Sequence, residues 1–183
     1  DLKGKTVSIG AANSGVYFNA IDILGAYGIA EGDINAVYQN FADSADSLKN
    51  GKIDAAFIVA GAPTTAITDL STSKQAYLVS MDADHIAKLK ETSPYYATAT
   101  YAGMTEDTTT VAVLAVILAN DSVDEDTVYK FTASIFDGAE KQADAHAKYS
   151  ELDKDVAASI TSVPYHAGAA KYFSEQGIEV PTK

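Results

Sequence analysis

Residues 6–9 alternate polar and apolar positions as a half-buried strand does. After a run of small residues the spacing becomes helical over 16–27, with Tyr17, Ala20, Ile21 and Leu24 on one face. Asn13 or Ser14 can cap this helix, and Gly28 ends it. The alternation then repeats. Residues 30–33 read as a turn and 36–39 as a short strand; the next helix, capped by Asp43 or Ser44, carries Ala45 and Leu48 and closes at Asn50 and Gly51. The nearly unbroken apolar run 55–60 predicts a buried parallel strand, and Gly61, Ala62 and Pro63 lead into a helix over 64–70. A further strand over 76–80 precedes a helix with His85, Ile86 and Leu89.

Beyond Ser93 the character changes. Pro94, Tyr95 and Tyr96 with the alternating Thr98 and Thr100 predict an extended segment, 102–109 a polar connection and 110–119 a long apolar strand. Helices are expected over 125–136, 139–149, 155–160 and 166–176. The division expected is an α/β domain over 1–103 that carries the ligand loops, then a hinge return, one strand and helices over 104–183. A strand accompanied by helices alone has no sheet of its own, so 110–119 must join the first lobe's sheet or pair with chain that is missing here.

Charge and composition narrow the function. The net charge of −12, from 25 acidic and 13 basic side chains, argues against a nucleic-acid partner, which needs clustered cations. Every one of those cations is lysine, so no guanidinium fork is available to clamp a carboxylate. Backbone amides, hydroxyls or a lysine must hold any anion. The absence of cysteine removes disulfides, thiol nucleophiles and cysteine metal sites. No apolar run reaches the roughly 20 residues of a membrane-spanning helix. Asp1 is not an initiator methionine and no leader precedes it, so the expectation is a chain processed or cut from something longer.

Two stretches combine a strand end, small residues and a helix start, namely 10–19 and 55–64. Such edges leave N–H groups and hydroxyls pointing into one crevice, the usual ligand edge of an α/β sheet. Asn13 and Ser14 supply donors in the first loop, with Gly61, Pro63 and Thr64 repeating the logic in the second; each is equally readable as a plain helix cap or turn. Tyr17 can bring its hydroxyl to the crevice or pack in the core. Neither a P-loop ending nor a dinucleotide fingerprint is present.

Catalytic signals are weak. His85, His146 and His166 lie in or beside helices without zinc-ligand spacing, and no Gly-x-Ser-x-Gly elbow occurs. The pairs Asp82/Asp84 and Asp124/Asp126 stand at helix starts, where the dipole favours them. No catalytic residue, metal site or cofactor is expected.

The opening Asp1-Leu-Lys-Gly-Lys-Thr-Val-Ser-Ile-Gly10 with Asn13-Ser-Gly15, the stretch 45–61 ending in Asp54-Ala-Ala-Phe-Ile-Val-Ala-Gly61, and the closing Pro164-Tyr-His-Ala-Gly-Ala-Ala-Lys-Tyr-Phe173 resemble the TAXI family of TRAP transporter solute receptors. So does the apolar strand from Thr109 through Val116. The resemblance implies an α/β, type II periplasmic-binding-protein-like fold, with one α/β lobe, a partial second lobe and a ligand closed between lobes. It implies a small carboxylate ligand such as glutamate or a related amino acid. Delivery would be to the membrane permease subunits of a TRAP transporter, outside the cytoplasm in the periplasm or the extracellular space, with anchoring to the membrane through a removed N-terminal segment as one form. Cleft positions carried over are Ser14, Gly15, Tyr17 and Asn19 on the first loop and Gly61, Ala62, Pro63 and Thr64 on the second; Asn13 joins them from the loop reading. Receptors of this family begin with a stretch that this chain lacks, so self-association to complete the missing lobe is a further expectation. The alternatives are an enzyme on the same two-lobed fold and a domain-swapped module pairing through 111–118.

Overall fold

A computed structural model of the chain describes residues 1–61, 64–73, 77–101, 107–145 and 147–182. It comprises two compact units, Asp1–Leu114 and Ala115–Lys183.

The first unit is built on a parallel sheet of three strands, β1 (Thr6–Ser8), β2 (Asn35–Val37) and β3 (Ala55–Ala56), in the order β2-β1-β3. Val7 pairs with Ala36 on one side and Ala55 on the other. Helix α1 (Gly15–Ala26) connects β1 to β2, and α2 (Phe41–Lys49) carries the chain back across β1 to β3. The two crossovers run in opposite directions, so their common right-handedness puts α1 and α2 on opposite faces. The pleat of β1 agrees with this. Val7 and Ile9, both fully buried, pack with Ala20 and Leu24 of α1, whereas Ser8 between them bonds Ser44 of α2 across 2.8 Å.

Local signals explain the helix ends. Ser14 caps α1, its Oγ accepting the Tyr17 N–H at 3.2 Å, and Gly28 leaves the helix with φ of 67°. Residues 31–33 form a single 3₁₀ turn before β2. The cap of α2 is Asn40, not Asp43 or Ser44. Ser44 lies a full turn inside that helix because its hydroxyl is drawn to the sheet, and the helix therefore begins at Phe41. Strand β3 is also shorter than its apolar run. The chain leaves β1 at Gly10, so nothing remains for residues beyond Phe57 to pair with, and Val59 is exposed.

After α3 (Thr65–Ser73), which packs on α2, residues 77–80 form no strand, and Tyr77, Leu78 and Val79 are exposed. This corrects the strand expected over 76–80, of which residue 76 lies outside the described residues. Helix α4 (Ala83–Thr92) packs on α1 and joins Met81, Ile86, Leu89 and Tyr96 to Ala26 in a second buried cluster. Strands β4 (Ala97–Tyr101) and β5 (Thr108–Ala112) pair antiparallel, with Ala99 opposite Thr110. The strand expected over 110–119 is thus shorter and has a partner within this chain. It ends at Ala112 because no ladder continues past Ala97, leaving Leu114, Val116, Ile117 and Leu118 exposed.

The second unit is helical. Helix α5 (Glu125–Gln142) runs through the break expected after 136, and a 3₁₀ segment, Ala147–Glu151, replaces the rest of the helix expected over 139–149. Short α6 (Lys154–Ala158) and then α7 (Ala167–Glu175) follow. Gly168 lets α7 lie directly on the backbone of α5, and Phe136, Tyr172, Phe173 and Tyr165 interlock edge-on and stacked at centroid separations of 5.6 to 5.8 Å. Burial, then the bond to Asp137, pushes the Tyr172 phenol up to about 12. His166 caps α7: Nδ1 accepts the Gly168 N–H at 3.2 Å and Nε2 donates to the Val123 carbonyl at 3.0 Å, so the ring orientation is fixed by both nitrogens. No helix among the described residues is long and apolar enough to cross a membrane.

Candidate ligand-binding site

Strands β1 and β3 are neighbours and point the same way, but the chain leaves them toward opposite faces, β1 into α1 and β3 toward α3 on the side of α2. Divergence of this kind opens a crevice at the carboxyl ends of the two strands, where open α/β sheets hold ligands. The loop after β1 is shaped for close approach. Gly10 has φ of 86°, and a Cβ there would fall 2.6 Å from the Cβ of Val16 and 3.0 Å from Ser14 Oγ. Asn13 is also left-handed, with φ of 59°, a conformation that asparagine tolerates better than most residues, and its side chain is exposed.

The start of α1 has donors to spare. Ser14 Oγ takes the Tyr17 N–H, and the Ser14 carbonyl takes that of Phe18. Among the described residues the N–H groups of Gly15 and Val16 meet no acceptor, at the positive end of a helix of 12 residues. No acidic residue stands in that first turn to satisfy them.

Other expected side chains are engaged locally. The Asn19 amide donates to the Gly15 carbonyl at 2.7 Å, and Thr64, just before α3, donates its hydroxyl to Gly61 O at 2.7 Å instead of accepting a helix N–H. Ala62 and Pro63 lie outside the described residues. The Tyr17 hydroxyl donates to Glu31 Oε2 at 3.0 Å, and the Tyr38 hydroxyl donates to the other oxygen of the same carboxylate. That bond, more than desolvation, raises both phenols above their ordinary value, so both remain neutral at physiological pH.

Two residues at this edge, Phe18 and Tyr38, carry no expectation as site residues from the sequence, and Glu31, in the turn before β2, holds the Tyr17 and Tyr38 hydroxyls. Phe18 is 57% exposed and Tyr38 49%, and the Tyr17 ring lies between them at 5.3 Å and 6.2 Å. The available signal was position, since Tyr38 directly follows β2 and Phe18 belongs to the first turn of α1, which puts both at the carboxyl edge. Gln39 follows Tyr38; its amide nitrogen donates to Ser47 at 3.1 Å, while its buried Oε1 has no partner among the described residues.

A cavity of about 250 Å³ lies elsewhere, between α1 and α4, lined by Ile21, Asp22, Gly25, Ala26, Lys88 and Thr92. Its charged groups each have a partner: Asp22 accepts the hydroxyls of Tyr95 and Tyr96, and Lys88 donates to the Ala26 carbonyl. Burial first, then Asp22, holds the Tyr96 phenol far above its ordinary range. The carboxyl edge differs from this cavity in that, among the described residues, its Gly15 and Val16 N–H groups meet no acceptor. Among the described residues, no three or more His, Asp or Glu side chains gather as a metal would require.

The family whose model matches the chain, over residues 1–177, is the NMT1-like family. The chain belongs to the NMT1-like family. Members are binding proteins of the periplasmic solute-binding type, typically extracytoplasmic, with small-molecule ligands and transporter partners. The mixed α/β architecture, with its parallel sheet and flanking helices, is that expected of a periplasmic-binding-protein-like fold. Membership of the NMT1-like family supports a solute-binding receptor in general.

Proposed function

We propose that this NMT1-like chain is a non-enzymatic extracytoplasmic receptor for a small carboxylate, and that it delivers its ligand to a TRAP-type permease. The observation that carries the reading is the pair of unmatched N–H groups of Gly15 and Val16 at the edge where β1 and β3 diverge. In a chain without arginine, these amides supply the charge complement that a guanidinium supplies elsewhere. Asn13, Ser14, Gly15, Tyr17 and Asn19 form one wall, with Gly61 and Thr64 across from it. The TAXI resemblance in the sequence supports glutamate-like acids and a TRAP permease as ligand and partner.

Calorimetric titration with glutamate, glutamine and dicarboxylates tests the reading. Saturable binding that weakens in Ser14→Ala is the expected result. Turnover of a substrate without a stable complex supports an enzyme and removes the receptor reading.

A second reading has its own observation. Leu114, Val116, Ile117 and Leu118 expose between 45% and 73% of their surface in a tract without charge. Such a tract favours self-association by strand pairing. Sedimentation at high concentration tests it: a dimer that Ile117→Lys dissociates supports pairing, and a monomer removes it.

A further inference from the structure

We propose that the cavity between α1 and α4 is a second small-molecule site, which takes a net-neutral amino acid with its carboxylate on Lys88 and its ammonium on Asp22. The inference goes beyond the carboxylate reading and uses no residue of the carboxyl edge.

Opposite charges line one space without meeting. Lys88 and Asp22 both line the cavity of about 250 Å³, yet no ion pair joins them. Each has a partner and capacity left over. The Lys88 ammonium carries three protons and gives one to the Ala26 carbonyl at 2.9 Å. Among the described residues no carboxylate lies within ion-pair distance of it, Asp84 and Glu91 of its own helix included. Asp22 accepts the Tyr95 hydroxyl at 2.9 Å and that of Tyr96 at 3.1 Å, both on Oδ2, and its Oδ1 meets no donor among the described residues. Hydroxyls that donate leave the carboxylate its charge.

A glycine keeps the space open. Gly25 stands in the last turn of α1 without a positive φ, and a Cβ there would meet nothing within 4 Å. Neither backbone nor packing requires glycine at this position, where alanine is the better helix former. The room so kept lies between an ammonium and a carboxylate, beside the apolar surface of Ile21 and Ala26. It suits a small ligand with opposite charges at its ends and a short apolar body between them. A second carboxylate would find no second cation among the lining residues, which separates this ligand from the acids of the carboxyl edge.

The test is an NMR titration of the nitrogen-labelled full chain with glycine, β-alanine and γ-aminobutyrate, whose charges stand progressively further apart. Butyrate and butylamine, each with one of the two charges, are the controls. At least one of the amino acids should shift the Ile21, Asp22, Gly25, Ala26 and Thr92 amides saturably, with both controls about tenfold weaker or more. Two variants should each weaken that binding by about tenfold or more: Lys88→Gln, which keeps a donor for the Ala26 carbonyl, and Gly25→Leu, which fills the cavity with a better helix former. Gly25→Leu should do so without loss of thermal stability. The proposal is overturned by any of three results: no saturable shift with any of the amino acids, a control that binds as tightly as they do, or affinity unchanged in both variants. All three leave the amides of Gly15 and Val16 untouched, so the carboxylate reading stands or falls separately.

Discussion

Ser8 and Ser44 face each other across the buried side of β1, their hydroxyl oxygens 2.8 Å apart, and the direction of that bond follows from a third group. Ser44 gives its single proton to the Asn40 carbonyl at 2.7 Å, so Ser8 must be the donor of the pair. The two serines are therefore unequal. Ser8→Ala removes one hydrogen bond and leaves Ser44 bonded, costing about 1 kcal/mol; Ser44→Ala strands a fully buried hydroxyl and costs about 1–3 kcal/mol. Denaturant midpoints of the two variants check the order. Equal midpoints would contradict the assigned direction.

The second unit makes a paired prediction about glycines. At Gly168 a Cβ would lie 2.3 Å from the Glu125 carbonyl oxygen and 2.7 Å from the Tyr129 nitrogen, both backbone atoms that cannot move aside. Gly168→Ala should push α7 off α5 and destabilise the unit by about 1–3 kcal/mol or more. At Gly138, inside α5, a Cβ meets nothing, so Gly138→Ala should stabilise the same unit by up to about 1 kcal/mol. Hydrogen exchange across α5 and α7 reads both changes, which should have opposite signs.

Asp82 makes the acid stability of the first unit testable. Its carboxylate bonds the His85 Nδ1 at 2.7 Å, accepts the His85 N–H at 3.1 Å and accepts the Tyr27 hydroxyl at 3.1 Å, while the His85 ring stacks on Tyr27 at 3.9 Å. The ring bond first, and then the backbone bond, hold its pKa at about 2, below the ordinary 3.8. A lowered carboxyl stabilises the fold above its unfolded value, and this contribution is lost as pH falls through the folded one, between about pH 4 and about pH 2. Asp82→Asn keeps a helix cap but lacks this titration, so its acid limb should be flatter over that range. In His85→Ala the Asp82 carboxyl should titrate closer to its ordinary value, as carboxyl carbon NMR would show.

Gly10 ties the site to the sheet. With φ of 86° and Val16 Cβ 2.6 Å from where its own Cβ would be, Gly10→Ala must displace the loop that leads into α1. Carboxylate affinity should fall by tenfold or more with a stability loss of about 1–3 kcal/mol. Unchanged affinity in a folded variant would separate this loop from binding.

How much of this was legible depended on whether a feature is local. The α1 cap, the stop at Gly28 and the pleat of β1 were readable because each is set by a few neighbouring residues. The start of α2 was not: Ser44 and Asn40 are both competent caps, and the choice is made by Ser8, 36 residues away. Residues 137 and 138 fell between the helices expected over 125–136 and 139–149, but packing of Phe136 against Tyr172 and Phe173 carries α5 through them. Residues 77–80 and 113–119 include strand-forming residues but have no ladder partners among the described residues, and pairing, which hydrophobic pattern does not report, decides where a strand ends. At the site, the loops followed from the small residues at strand ends, whereas the link of Tyr17 and Tyr38 through Glu31 is tertiary and left no spacing to read.

The central claim is that a carboxylate is held by the first amides of α1, and amide-resolved NMR tests it most directly. On titrating the nitrogen-labelled protein with glutamate, succinate and phenylacetate, the Gly15 and Val16 N–H signals should shift first, furthest and saturably for whichever acid binds. Shifts centred instead on Ile21, Asp22, Gly25 and Thr92 in the α1–α4 cavity, or no saturable shift at Gly15 and Val16 with any of the three, would contradict it.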